Sequence, residues 1–219
     1  MKLYCASDLH IGYENSNHQK IKQFFNIVRE NADELVLCGD VFDLWRYPYD
    51  KMIGKQKADF EDIMSDLKKT AAKVPTTIIP GNHDYDLLKL WKNYHEYHVS
   101  IADPFEKEKI YFCHGWNFDV MQRFGSFAYG WLVLAFPSIY QRFFKKPSEM
   151  LLRNDVESPE TIATHNEANQ YALKNQLKYV VMGHTHFPVI QDRIIDCGDF
   201  VDSTSYVILD SGVPELKFI

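Results

Sequence analysis

A layered α/β domain, a sheet covered by helices, is the fold class this sequence predicts. Three observations predict it. Short apolar runs recur along the chain, and five of them stop at Asp, Asn or His, four with a Gly alongside. Over the N-terminal part these runs alternate with helical periodicity in the order strand, helix, strand, helix, strand, which is how crossover connections build a sheet. The apolar fraction, 46% of 219 residues, supplies a sizeable core for one domain, or for one domain carrying an insertion.

The elements follow in chain order. Leu3–Ala6 is a short apolar run that reads as a buried strand, followed by Ser7-Asp8-Leu9-His10. Ser16-Asn17-His18-Gln19 has the form of a capping box, and Ile21, Phe24, Phe25 and Val28 continue it at helical spacing. Leu35–Cys38 is the next strand and ends at Gly39-Asp40-Val41-Phe42-Asp43. Trp45–Tyr49 is an aromatic loop. A helix over about 56–74 presents Phe60, Ile63, Met64, Leu67 and Ala71 on one face. Thr76–Pro80 is a strand closed by Gly81-Asn82-His83-Asp84, and a short helix follows over 86–91. Val99–Ile101 and Glu108–Cys113, separated by Pro104, read as a hairpin or an added strand pair, with His114-Gly115 at the end. Ser158-Pro159-Glu160 starts a helix that runs to about 176, with a Ser cap and Pro at the first helical position. Tyr179–Met182 then leads into Gly183-His184-Thr185-His186, and three strands near 193–197, 205–209 and 215–219 close the chain.

Residues 117–159 break this rhythm. They hold no good strand and read as a helical insertion, aromatic and basic, within a single domain spanning 1–219. Phe127–Pro137, including Trp131, is apolar on nearly all sides. Such a helix is buried core, a dimer interface, a cap over an acyl or nucleobase group, or a peripheral membrane contact. It is too short to span a bilayer. A formal charge of −6, without a run of like charges, argues against a partner made of long nucleic acid. Cys5, Cys38, Cys113 and Cys197 form no Cys-x-x-Cys pair and read as buried hydrophobes in a reducing compartment. With no signal-peptide pattern at the N-terminus, the expected location is cytoplasmic, or peripheral to the inner face of the membrane if the insertion touches it.

The strand ends carry the chemistry. Asp8, His10, Asp40, Asn82, His114, His184 and His186 offer carboxylate, imidazole and amide donors along one edge of the sheet, where open α/β sheets bind ligands. Five of the nine histidines fall in these segments, which a solvated surface would not produce. One four-coordinate zinc takes three or four ligands. Seven, with one carboxylate shared, suit two divalent metals about 3.5–4 Å apart. Hard oxygen and borderline nitrogen donors without thiolate suit manganese above iron, zinc or magnesium. Two such ions clamp the oxygens of an in-line displacement at phosphorus and bring a bridging water toward hydroxide. Trp45 and Arg46 directly follow Asp43 and are expected near the metals. Arg46 either clamps a phosphate or is an ordinary loop arginine.

Asp-x-His, Gly-Asp-x-x-Asp, Gly-Asn-His-Asp, His-Gly and Gly-His-x-His, in this order from Asp8 to His186, resemble the calcineurin-like metallophosphoesterases. The resemblance implies a four-layer α/β/β/α sandwich. It implies one metal on Asp8, His10, Asp40 and His186 and a second on Asp40, Asn82, His114 and His184, with Asp40 bridging. It also implies that His83 is a non-ligand that protonates the leaving oxygen, oriented by Asp43, with Asp84 as a supporting carboxylate. The expected activity is hydrolysis of a phosphodiester, phosphomonoester or pyrophosphate in a small phosphate-containing partner. Within the family, Gly39–Trp45 and the insertion are similar to UDP-diacylglucosamine pyrophosphatases, which implies a lipid-linked nucleotide and contacts from Trp45, Arg46 and Trp131. His83 departs from that branch, which carries Arg there. A non-catalytic scaffold of this fold would be expected to lose ligands, whereas all seven and His83 are present.

Overall fold

The structure is a computed structural model, and the residues described are 1–53, 60–90, 97–119 and 158–219. In the first sheet, β1 (Lys2–Ala6), β2 (Glu34–Cys38), β3 (Thr76–Ile79) and β4 (Val99–Ile101) run parallel. Beyond β1 the sheet continues with antiparallel β10 (Ser205–Asp210) and β11 (Val213–Phe218). The second sheet has β6 (Ile110–Phe112), β7 (Tyr179–Met182) and β9 (Ile194–Asp196) in parallel. Antiparallel β5 (Phe105–Lys107) and β8 (Val189–Gln191) edge it. Helices α1 (His18–Asn31) and α3 (Glu61–Lys73) cover the first sheet, and α5 (Pro159–Lys174) covers the second. Two single-turn helices, α2 (Tyr49–Met52) and α4 (Leu87–Leu90), sit in the loops.

Strand periodicity sorts the core into layers. In β1, Leu3 and Cys5 face the second sheet, while Tyr4 and Ala6 face the helices. Three apolar layers result. One lies between α1, α3 and the first sheet around Phe24, Phe25, Leu35 and Leu67. The second lies between the sheets around Val36, Ile79, Phe112 and Val181. The third lies between the second sheet and α5 around Val180, Met182, Ala168 and Ala172. Each fully buried Phe or Leu contributes about 1.5–3 kcal/mol. This is the four-layer sandwich that the resemblance implies. All four cysteines are buried free thiols, and among the described residues no helix is long and apolar enough to cross a membrane.

Several local expectations change. The cap of α1 is Asn17, which accepts from the Lys20 N–H at 3.1 Å, because the Ser16 hydroxyl is turned inward onto the Leu9 carbonyl at 2.6 Å. Val99–Ile101 and Glu108–Cys113 are not a mutual hairpin: β4 closes the first sheet, and β6 pairs with β5 in the second. The chain changes sheets between Ile101 and Phe105, where Pro104 lacks the N–H to continue a ladder. The helix expected from about 56 is described from Glu61, and Ser158 caps α5 as expected, accepting from the Thr161 N–H. β8 was not expected; only three residues long, it has no room to show alternation. Of the proposed insertion, residues 120–157, with Trp131, lie outside the described residues. Phe118 is buried against α5.

Candidate metal centre

Parallel strands deliver their carboxyl ends to one edge, and the candidate ligands stand just beyond those ends. Asp8 and His10 follow β1, Asp40 follows β2, Asn82 and His83 follow β3, His114 follows β6, and His184 and His186 follow β7. Five of them adopt left-handed backbone: Asp8 (φ 53°), His10 (45°), Asp40 (51°), His184 (74°) and His186 (59°). For non-glycine residues this conformation costs on the order of 1–3 kcal/mol each and persists only where the surroundings over-determine it. The surroundings here do so. The loops after β1 and β2 run side by side, with Asp8 N–H donating to the Gly39 carbonyl and His10 N–H to the Asp40 carbonyl. The buried Asp84 carboxylate accepts from the N–H groups of Gly81, Asp40, Val41 and Phe42 at 2.6–3.3 Å, stitching the loops after β2 and β3 together.

The side chains converge in two groups. In the first, Asp8 Oδ1 lies 3.6 Å from His10 Nε2 and 3.3 Å from His186 Nε2. In the second, His114 Nε2 lies 3.3 Å from Asp40 Oδ2 and 3.2 Å from Asn82 Oδ1. Asp40 Oδ2 is also 3.9 Å from His10 Nε2, so this carboxylate stands between the groups. The other nitrogen of each inward-facing ring meets an acceptor: His114 Nδ1 donates to the Cys38 carbonyl at 2.8 Å, while His10 Nδ1 and His186 Nδ1 face the carboxylates of Asp43 at 3.5 Å and Asp199 at 3.6 Å. That is how metal-binding imidazoles are oriented. Two glycines let the groups close up. A Cβ on Gly81 would collide with the Asp40 carboxylate, and one on Gly183 with Ser7 and Asp8.

Electrostatics reinforce the arrangement. Burial pushes Asp8 up, but the imidazoles of His186 and His114 outweigh it and hold Asp8 well below the usual carboxylate range. Asp40 is lowered in the same way, with His114 and His83 overcoming burial. Burial alone would lower His10, but Asp43 and Asp8 raise it to about 10; His114 is raised to about 10 against burial by Asp40 and Asp8. Asp84 is pushed up to about 7 by burial and by the Asp40 charge.

The sequence of residues 1–188 matches the family model described as Calcineurin-like phosphoesterase. The chain belongs to the calcineurin-like phosphoesterase family. No curated protein matches the chain. Among solved structures, it is similar to a conserved predicted phosphoesterase from Streptococcus pneumoniae at 12% identity. That alignment covers 100% of this chain and 88% of the other, with a TM-score of 0.43. It is also similar to a nuclease from Pseudomonas putida at 14% identity, over 98% of this chain and 72% of the other, with a TM-score of 0.42.

The donor set fits the divalent metals this phosphoesterase family binds. Asp8, His10 and His186 bring ligand atoms within 4.8 Å of one another, as do Asp8, Asp40 and His114, and also His10, Asp40 and His83. Asp8 Oδ1 and His10 Nε2, which face each other at 3.6 Å, are buried without a hydrogen-bond partner, an expensive arrangement unless a cation satisfies them.

The structure places the remaining site residues as follows. His83 sits at the margin, Nδ1 3.3 Å from Asp43 Oδ1 and Nε2 3.9 Å from Asp40 Oδ2, and its backbone N–H donates to Asp40 Oδ1. Trp45 is exposed and stacks on the His83 ring, centroids 4.1 Å apart. Arg46 pairs with Asp43 and lies over the Tyr13 ring. His184 stands apart from the carboxylate groups: its Nε2 meets Asp119 at 3.1 Å, while its backbone N–H donates to Asp8 Oδ2. Sequence reasoning missed Asp119 and Asp199. Asp119 follows no strand, whereas Asp199 stands in Cys197-Gly198-Asp199 after a short apolar run, the same ending as Cys38-Gly39-Asp40. That repeated Gly-Asp ending was the signal that could have found Asp199.

Proposed function

We propose that this chain is a hydrolase of phosphate esters or anhydrides that works with two divalent cations sharing Asp40. One observation carries the reading: the Asp40 carboxylate stands between His10 of one donor group and His114 of the other. Asp8, His10, Asp40 and His186 would hold one cation. Asp40, Asn82, His114 and His184 would hold the second. Manganese is the first choice for this donor set, ahead of iron, zinc and magnesium. When bound, the cations supply Lewis acidity at the phosphoryl oxygens and a nucleophile at neutral pH.

The protein's own groups do the rest. Asp43 fixes the His83 ring through Nδ1, which leaves Nε2 to donate a proton to the leaving oxygen. The same Asp43 carboxylate lies beside His10, so one buried group orients both a proposed ligand and the proposed acid. The substrate class is a phosphodiester, phosphomonoester or pyrophosphate. A lipid-linked nucleotide, and the membrane contact that goes with it, would depend on the insertion and Trp131. No observation among the described residues favours them.

The test is direct. Purified protein should hydrolyse an activated phosphodiester or monoester with added manganese and lose that activity in EDTA. Folded protein that turns over no phosphate ester or anhydride with any divalent metal would leave the non-catalytic scaffold as the surviving reading.

A further inference from the structure

The segment His184-Thr185-His186 carries two proposed ligands, both with left-handed backbone, on either side of a threonine that touches neither donor group. Thr185 faces the other way. Its hydroxyl donates to Asp196 Oδ2 at 2.8 Å and accepts from the Phe187 N–H at 3.2 Å, which closes the loop around its own side chain. Asp196 ends β9 and is fully buried. Its Oδ1 accepts from the Gly198 N–H at 2.9 Å, and its Oδ2 also accepts from His165 Nε2 at 3.0 Å. His165 is itself buried, on the face of α5 that packs on the second sheet, and its Nε2 lies 3.4 Å from the Thr185 hydroxyl. Thus helix α5, strand β9 and the ligand loop meet at one carboxylate oxygen.

We infer that His165, Asp196 and Thr185 form a latch that holds the His184–His186 loop in its metal-binding shape. They are positioning residues, and the inference rests on the metal-centre reading above. A carboxylate buried between a helix and a sheet is tolerated where hydrogen bonds satisfy it. Here the donors come from three separate elements, so satisfying Asp196 fixes those elements relative to one another. The effect reaches the first donor group through Asp8. The His186 ring meets Asp8, and the His184 N–H donates to the other Asp8 oxygen, so a loop that relaxes loses its ring and its backbone contact together.

Thr185→Val keeps the shape of the side chain and removes its hydroxyl. His165→Ala removes the outer donor, and His165→Gln returns an N–H near the position of Nε2. Affinity for manganese would be measured by competition with a coloured chelator, on protein shown to be folded by circular dichroism. Thr185→Val and His165→Ala should each weaken manganese binding about 10- to 100-fold, the usual cost of losing an outer partner of a ligand. His165→Gln should recover most of it. Should His165→Ala fail to fold, Thr185→Val alone decides. Binding equal to the unaltered protein in Thr185→Val overturns the latch while leaving the metal centre standing. An unaltered protein that binds no divalent metal overturns the metal centre and the latch with it.

Discussion

Gly81 gives the sharpest test of how closely the two donor groups must approach. Its backbone is not in the left-handed region, so alanine is conformationally acceptable there, and any penalty comes from space. A Cβ at this position would lie 2.7 Å from the Asp40 backbone nitrogen and 2.7 Å from His114 Cδ2, about 0.7 Å inside the 3.4 Å at which ordinary contact begins. It would also overlap Asp40 Oδ1. The backbone nitrogen is pinned by Asp84 and cannot retreat, so the Asp40 carboxylate and the His114 ring must move. Overpacking of this kind costs about 1–3 kcal/mol of stability. The functional loss should be larger, because a displacement approaching 1 Å at a reacting centre costs roughly 100-fold in rate. Urea unfolding in EDTA gives the first quantity, and kcat/KM with manganese gives the second. Gly81→Ala should therefore remain folded and lose about two orders of magnitude in kcat/KM, with weakened metal binding. If the variant binds and turns over like the unaltered protein, Asp40 and His114 are not held at the spacing described, and the argument for a shared carboxylate fails.

Two further outcomes are expected. His10 and His114 are raised to about 10, so both are protonated in metal-free protein at pH 7, and metal binding must expel those protons. Calorimetry in buffers of different ionisation enthalpy should show proton release at pH 7 and affinity rising from pH 7 toward 10. The same raised values stabilise the metal-free fold fully below the unfolded-state pKa near 6.5, a contribution lost as pH rises through about 10. Metal uptake without proton release at pH 7 would contradict this. His83→Ala should keep both metals and lower kcat by roughly 10²–10⁴; a variant that loses a metal instead makes His83 a ligand, as its nearness to His10 and Asp40 would allow.

The parts of this protein that were legible in its sequence are those whose meaning is local. A strand ending in Asp-x-His or Gly-Asn-His-Asp declares a ligand within two or three residues of an apolar run, and the fold needs only to bring such ends together. Asp43 lies three residues after Asp40 on the same loop, but its role was suggested by the resemblance. What could not be read is whatever depends on a partner far along the chain. Gly198-Asp199 repeats the Gly39-Asp40 signal, but that Asp199 stands beside His186 follows only from β9 running parallel to β7. His165 meets Asp196 across 31 residues and Asp119 meets His184 across 65, and a lone His or Asp at such a distance carries no pattern. Resemblance alone suggested Asp84 as a support; that it accepts from four N–H groups on two loops follows from the sheet register that sets β2 beside β3.

The conflicts between local rules and the structure gather at the same place. Left-handed backbone falls on Asp8, His10, Asp40, His184 and His186, besides turn residues such as Glu108, Lys109 and Ser211, and buried ionisable groups fall on Asp8, His10, Asp40, Asp43, Asp84, His114 and Asp199, with the His165–Asp196 pair behind them. A core selected only for stability would avoid both, since each opposes folding. Elsewhere, apolar alternation and helix faces agree with the fold they build, down to the split of β1 between two layers. Local violations concentrated at a functional site, inside an otherwise consistent sequence, are what a chain shows when it holds reactive groups in place at the expense of stability. On this reasoning the strained strand ends follow from the side chains that must converge there, and the hydrogen bonds between the loops and to Asp84 are what hold that geometry.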